Sequence, residues 1–172
     1  MFYSKLIIVV LNFLDYFQQK KIINLINKKI LDPVIVFDVG AHYGETIKLF
    51  DKKLKLKKIY SFEASPKNYQ ILKNKISKYD LRKVEIFNYG IGEKISESFI
   101  NQTLESSSST INKLNMESKY FEKKLKILNI KNKSSFQYQV PIKIISLDYF
   151  IEKYQIKYID LLKIDTEGYE LN

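Results

Sequence analysis

Four short apolar runs, each breaking off in a polar or glycine-bearing turn, constrain this chain more than any other feature. Val34 to Phe37 (VIVF) follows Pro33 and ends at Asp38-Val39-Gly40. Lys58 to Phe62 (KIYSF) ends at Glu63, and Val84 to Phe87 (VEIF) ends at Asn88-Tyr89-Gly90. Tyr158 to Ile164 (YIDLLKI) ends at Asp165-Thr166-Glu167-Gly168. Continuous apolar runs of this length read as strands buried on both faces, the kind found in parallel sheets. Helices read between the first three. Thr46 to Leu54 sets Ile47, Phe50 and Leu54 on one side. Ser65-Pro66 opens another: serine caps the free amides and proline suits the first helical position. Tyr69, Leu72, Ile76 and Tyr79 continue it at a spacing of three to four. Strand, helix, strand, helix, strand predicts an α/β domain with a parallel sheet and right-handed crossovers.

The middle of the chain is less regular. Ser96 to Ile100 reads as an added strand. The polar tract Gln102 to Thr110, with serines at 106 to 109, reads as a loop that near a ligand would act as a lid. Lys113 to Leu128 predicts a helix, Phe136 to Ile145 a strand, and Ser146 to Lys153 a short helix. No repeat or separating linker interrupts residues 34–172, which form one predicted domain. Residues 1–33 read as an amphipathic helical lead, with Leu14, Phe17, Ile22, Leu25, Ile26 and Leu31 among its apolar positions. Its run Leu6 to Leu11 is cut by Asn12 and Asp15, well short of the ~20 residues that span a bilayer. The lead is expected to pack on the main domain. The alternative is peripheral membrane contact through its apolar face and Lys20, Lys21, Lys28 and Lys29.

Charge and cysteine content exclude several functions. The net charge is +10, but of 29 basic residues only Arg82 is an arginine. Phosphate and base readers lean on arginine's planar fork, so the expectation is a solvated lysine surface and no nucleic-acid partner. The absence of cysteine removes disulfides and thiolate metal sites, and one histidine, His42, removes a multi-histidine cluster. No metal site is assigned.

Ligands of open α/β sheets bind beyond the carboxyl ends of the strands. The polar ends of the four runs therefore converge on one candidate site. Gly40 lets backbone approach a ligand and Gly44 opens the first helix, or the pair merely makes a tight strand-to-helix turn. Their spacing is G-x-x-x-G, so the dinucleotide fingerprint G-x-G-x-x-G is not met. Glu63 ends the second strand, where a carboxylate accepts from ribose hydroxyls; the alternative is a solvated strand-end acid. Asp165, Glu167 and His42 are the candidate general bases, in that order. The two carboxylates alternatively cap the next helix or hold a divalent cation. Tyr43 and Tyr89 offer rings for stacking on adenine or a sugar.

These segments resemble the FkbM family of S-adenosylmethionine-dependent methyltransferases. The matching blocks are Val36 to Gly44 (VFDVGAHYG), Phe62 to Pro66 (FEASP), Ser146 to Asp148 (SLD) and Asp160 to Glu170 (DLLKIDTEGYE). The last, similar to the family's K-I-D-x-E-G-x-E, is the most specific. The resemblance covers about residues 34 to 172. It implies a Rossmann-like class I methyltransferase fold, a three-layer sandwich on a mostly parallel sheet. It also implies S-adenosylmethionine as cofactor, a cytoplasmic location, and O-methylation of a hydroxyl on a sugar of a polysaccharide or other small-molecule acceptor. Asp38, Gly40 and Gly44 would shape the methionine side of the pocket. Glu63 would hold the ribose, with Ala64 and Ser65 near the adenine. Asn88, Tyr89 and Gly90 would also approach adenine, and Asp165 and Glu167 would face the transferred methyl. Family members continue past the E-G-x-E block, so the fold is expected to be incomplete at its C-terminus. An inactive fragment of such an enzyme is the competing reading, and a basic non-enzymatic module a third.

Overall fold

The computed structural model describes residues 19–77, 79, 82–103, 111, 118–127 and 137–166. In chain order these form helix α1 (19–29), strand β1 (Val34–Val39), α2 (Glu45–Lys53), β2 (Leu56–Phe62), α3 (Pro66–Ile76), β3 (Val84–Phe87), β4 (Gly90–Ile91), β5 (Ser96–Thr103), α4 (Lys119–Ile127), β6 (Gln137–Ile145), α5 (Leu147–Lys153) and β7 (Leu161–Ile164).

The four apolar runs make one parallel sheet, in the order β3-β2-β1-β7. Because side chains alternate along a strand, β1 has two apolar faces. Val34 and Val36 pack with Ile23 and Ile26 of α1, Ile47 and Phe50 of α2, and Leu72 and Ile76 of α3. Phe37 and Val39 turn the other way, onto Phe62, Ile145 and Phe150 of α5. There the Phe150 ring meets Phe62 and Phe87 edge-on, both at 4.8 Å, a geometry that suits the ring quadrupoles. Helices thus cover both faces of the sheet, the three-layer α/β arrangement that the strand order predicts.

The helix starts follow the local chemistry. Ser65 Oγ accepts from Asn68 N (3.2 Å) with Pro66 at the first position, and Ser146 Oγ accepts from Tyr149 N (3.2 Å). Each removes one unsatisfied amide at a helix end. The second helix has no such side chain; it begins at Gly44, whose φ of 85° a β-carbon would oppose.

Several expectations change. Strands β4, β5 and β6 form a separate three-stranded sheet, β4-β6-β5, parallel between β4 and β6 and antiparallel between β5 and β6. Its inner side chains Ile100, Ile142 and Ile144 pack with Ala64, just beyond β2. The added strand runs on to Thr103, so Gln102 and Thr103 are fully buried rather than in a loop. The serines at 106 to 109 lie outside the described residues, as do Glu167, Gly168 and residues 1–18. Helix α3 stops at Ile76, short of Tyr79; of the helix predicted over Lys113 to Leu128, Lys119–Ile127 is helical, and residues 113–117 and 128 lie outside the described residues.

The largest correction concerns β7. It was expected to be buried on both faces, yet Leu162 is 43% and Ile164 44% exposed. Among the described residues β7 pairs only with β1, and its second face carries no helix that covers these two side chains.

Candidate active site

Parallel strands put their carboxyl ends on one side, and the turns that follow β1, β2, β3 and β7 meet there. The turn after β1 is held by its neighbours' backbones. Gly40 N and Ala41 N both donate to Phe62 O at 2.9 Å, and Asp165 N donates to Val39 O at 3.0 Å. Gly40 has φ 79°, and a β-carbon there would lie 1.8 Å from the carbonyl oxygen of Asp165. At Gly44 a β-carbon would lie 2.8 Å from Leu72 Cδ1. The two glycines therefore serve close packing of protein on protein. The space they free is filled by Asp165 and Leu72.

Glu63 is the centre of the site. It is 6% exposed. Its Oε1 accepts from Ser65 N (2.9 Å) and its Oε2 from His42 N (2.8 Å). It ties the β1 turn to the start of α3 and is not a solvated strand-end acid. Burial pushes its carboxyl up, against the hydrogen bonds from Ser65, His42 and Asn68 that favour the charged form. The side chain of Asn88 secures the same turn, its Nδ2 donating to Glu63 O (2.8 Å) and Ala64 O (3.1 Å).

Asp38 lies fully buried at the end of β1. Burial raises its carboxyl too, and Lys163 of β7, with Nζ 3.2 Å from Oδ1, opposes the rise. Ser61 Oγ is a longer contact at 3.4 Å. The same Nζ donates to Gly40 O (2.9 Å) and lies 3.7 Å from Asp165 Oδ2. Lys163 thus clamps the turn from the far strand. Sequence reasoning singled it out only as a letter of the K-I-D block; the signal was a lone lysine two residues before the candidate base, inside an apolar strand.

The raised carboxyls predict a pH dependence. Asp38 and Glu63 hold their protons more tightly folded than unfolded, so the folded chain carries more bound protons from about pH 4 up to their raised values. Stability should fall as pH rises through that interval and level off above it. Urea melts at stepped pH check this, and Glu63→Gln should flatten the slope. A slope unchanged by that variant would remove Glu63 from the account. Glu45, shifted downward, acts in the opposite sense: burial would raise it, but hydrogen bonds from His42 and the local backbone outweigh that.

The remaining candidates divide. His42 has φ 48°, stacks on Tyr43 at 3.8 Å between centroids, and places Nδ1 3.4 Å from Glu45 Oε2. The Asp165 side chain is 65% exposed at the rim. Ser65 is fully buried; its hydroxyl, besides capping α3, hydrogen-bonds Gln102 Oε1 of β5. That link to the second sheet was hidden, because Gln102 sits in a tract that reads as a polar loop. Gly90 packs on Ala64 and Ile144. The Tyr89 ring is near-parallel to Phe87 at 6.5 Å and lines a cleft of about 340 Å³ with Ser96, Lys143, Tyr149 and Tyr154.

A buried strand-end carboxylate, a left-handed turn after the first strand and a parallel sheet with helices on both faces define a Rossmann-like α/β domain. The chain belongs to the FkbM methyltransferase domain family, whose sequence model matches residues 38–172. Among solved structures it is similar to methyltransferase FkbM from Methylobacillus flagellatus KT, at 16% identity and a TM-score of 0.49. That match covers 81% of this chain and 27% of the other, so the chain spans about a quarter of that protein's length. It is also similar to an rRNA methylase from Streptococcus thermophilus, at 20% identity and a TM-score of 0.29, over 34% of this chain and 32% of that one. No curated protein matches the chain.

Proposed function

We propose that this domain binds S-adenosylmethionine beyond the carboxyl ends of β1, β2 and β3 and serves O-methylation of a sugar hydroxyl, in the cytoplasm. Glu63 is the observation that carries the reading. An ionised carboxylate has about four acceptor sites. Two backbone N–H groups and the Asn68 amide act on Glu63, which leaves capacity for a hydroxyl donor from a ribose. A carboxylate so fixed and so little exposed loses little freedom on binding, and in a site of low dielectric its hydrogen bond to a hydroxyl is strong.

The other residues take roles consistent with their places. Asp38, with Lys163, and the Gly40 to Gly44 turn shape the methionine side. Asn88 holds the Glu63–Ala64 backbone, and Ala64 and Ser65 form the wall expected near adenine. The bound cofactor supplies an activated methyl on a sulfonium; the chain supplies position and electrostatics. Asp165, exposed at the rim with Lys163 Nζ 3.7 Å away, is the carboxylate we assign to take the proton from an incoming hydroxyl. A sugar acceptor is supported by the family resemblance.

Titration calorimetry of the purified chain with S-adenosylmethionine tests the reading. Saturable binding is expected, weakened at least about tenfold by Glu63→Ala. An analogue lacking the ribose hydroxyls should lose a similar factor against the unaltered chain and nothing further against the variant. A folded chain that fails to bind, or binds both ligands equally, overturns the cofactor assignment.

A further inference from the structure

Helix α1 is two-sided in a way that core packing does not account for. Ile23 and Ile26 are buried against β1 and α2. Ile22 (54% exposed) and Leu25 (58%) lie on the solvent flank, and Leu31 just beyond the helix is 76% exposed. Ile22 and Leu25 are three apart, so they share one strip of the helix surface. Lys21, Lys28 and Lys29 border that strip at helical spacing, all exposed, and no acidic residue occurs between 19 and 31. In the sequence the helix is preceded by the apolar run Leu6 to Leu11 and by Phe13, Leu14 and Phe17.

Each class of partner would use this surface differently. A nucleic acid would use the cations and leave Ile22 and Leu25 in water. A protein groove would use the apolar pair and would need acidic side chains set around it to meet the three cations. An anionic bilayer uses both: apolar side chains enter the headgroup–acyl boundary, while lysine stems run along it and their ammonium groups meet lipid phosphates. We infer that the outer flank of α1 is a docking surface for anionic lipid, with the helix lying in the membrane plane and Ile22 and Leu25 inserted. Among the described residues no helix is long and apolar enough to cross a membrane. The inference stands apart from the methyl-transfer reading.

Co-sedimentation of the full chain with phosphatidylcholine vesicles, with and without phosphatidylglycerol, tests it. Binding should be at least about tenfold tighter to the anionic vesicles and should weaken with salt. Lys21→Glu with Lys28→Glu, and separately Ile22→Ser with Leu25→Ser, should each weaken it by about tenfold or more. All four side chains are exposed, so circular dichroism should show the variants folded. Vesicle binding that survives both double variants would overturn the inference. So would charge-reversal sensitivity without apolar sensitivity, together with equal affinity for a DNA duplex, because the surface would then be a general polyanion binder.

Discussion

Gly40→Ala should cost more than about 4 kcal/mol of stability, a loss at the far end of what single substitutions do. Two independent effects add. At φ 79° a side chain is strained by about 1–2 kcal/mol. In addition, the new carbon would lie 1.8 Å from the Asp165 carbonyl oxygen, a backbone atom that no rotamer change can move aside. The relief available is to part β1 from β7, and this would break the bond from Asp165 N to Val39 O. Urea denaturation gives the measurement. A midpoint within experimental error of the unaltered chain would show that β1 and β7 do not close in this register. Gly44→Ala is the internal comparison: its 2.8 Å neighbour is the tip of a leucine side chain, which can yield.

Lys163→Met should cost about 3 kcal/mol, through the partner it leaves behind. Asp38 is fully buried, and the Lys163 ammonium is the cation beside it at 3.2 Å. Without it the carboxylate must stay charged in an apolar setting or take up a proton, and the turn loses the bond to Gly40 O. Protonation caps the loss, so the deficit should shrink as pH falls towards 4. Asp38→Asn in the Lys163→Met background should recover part of the stability by removing the unpaired charge. Urea midpoints for the three variants decide the matter. A single variant as stable as the parent, or a double variant no better than Lys163→Met, would remove the clamp from the account.

The parts of the fold that sequence reasoning reached are those written in contiguous residues. Val34 to Phe37 is apolar at every position, so it reads as a strand with two covered faces. Ser65-Pro66 and Ser146 read as helix starts because the capping atom and the capped amide are three residues apart. The second sheet was out of reach for the opposite reason. Gly90–Ile91 is two residues long and carries no period, and its partner Ile144–Ile145 lies far along the chain. Gln102 misled because a polar letter in a polar tract gives no sign of a buried partner such as Ser65. Leu162 and Ile164 misled because an apolar run reports composition, while exposure depends on what packs over it.

The site divides in the same way. The placement of Asp38, Glu63, Asn88 and Asp165 at the strand ends was legible because strand ends concentrate on one side of a parallel sheet. The work of each side chain was not. Glu63 was read as a ligand for a cofactor, and the structure shows it first as the tie between two turns, through His42 N and Ser65 N. The glycines were read either as room for a ligand or as a tight turn, and what a β-carbon would meet at each is Asp165 and Leu72. Those distinctions rest on contacts between residues remote in sequence.

The clamp on the β1 turn also sets a timetable. Lys163 reaches back 123 residues to Gly40, so one edge of the central strand waits while the ribosome makes most of the domain. At about 5–20 residues per second that wait is roughly 6–25 s. Over this time β2 and β3 can join β1, but the turn beside Glu63 has no lysine to hold it and Asp38 has no counter-charge. Closing so long a loop is slow and comes late. The nascent chain therefore spends seconds with an open strand edge, the interval in which a holding chaperone has most to offer it.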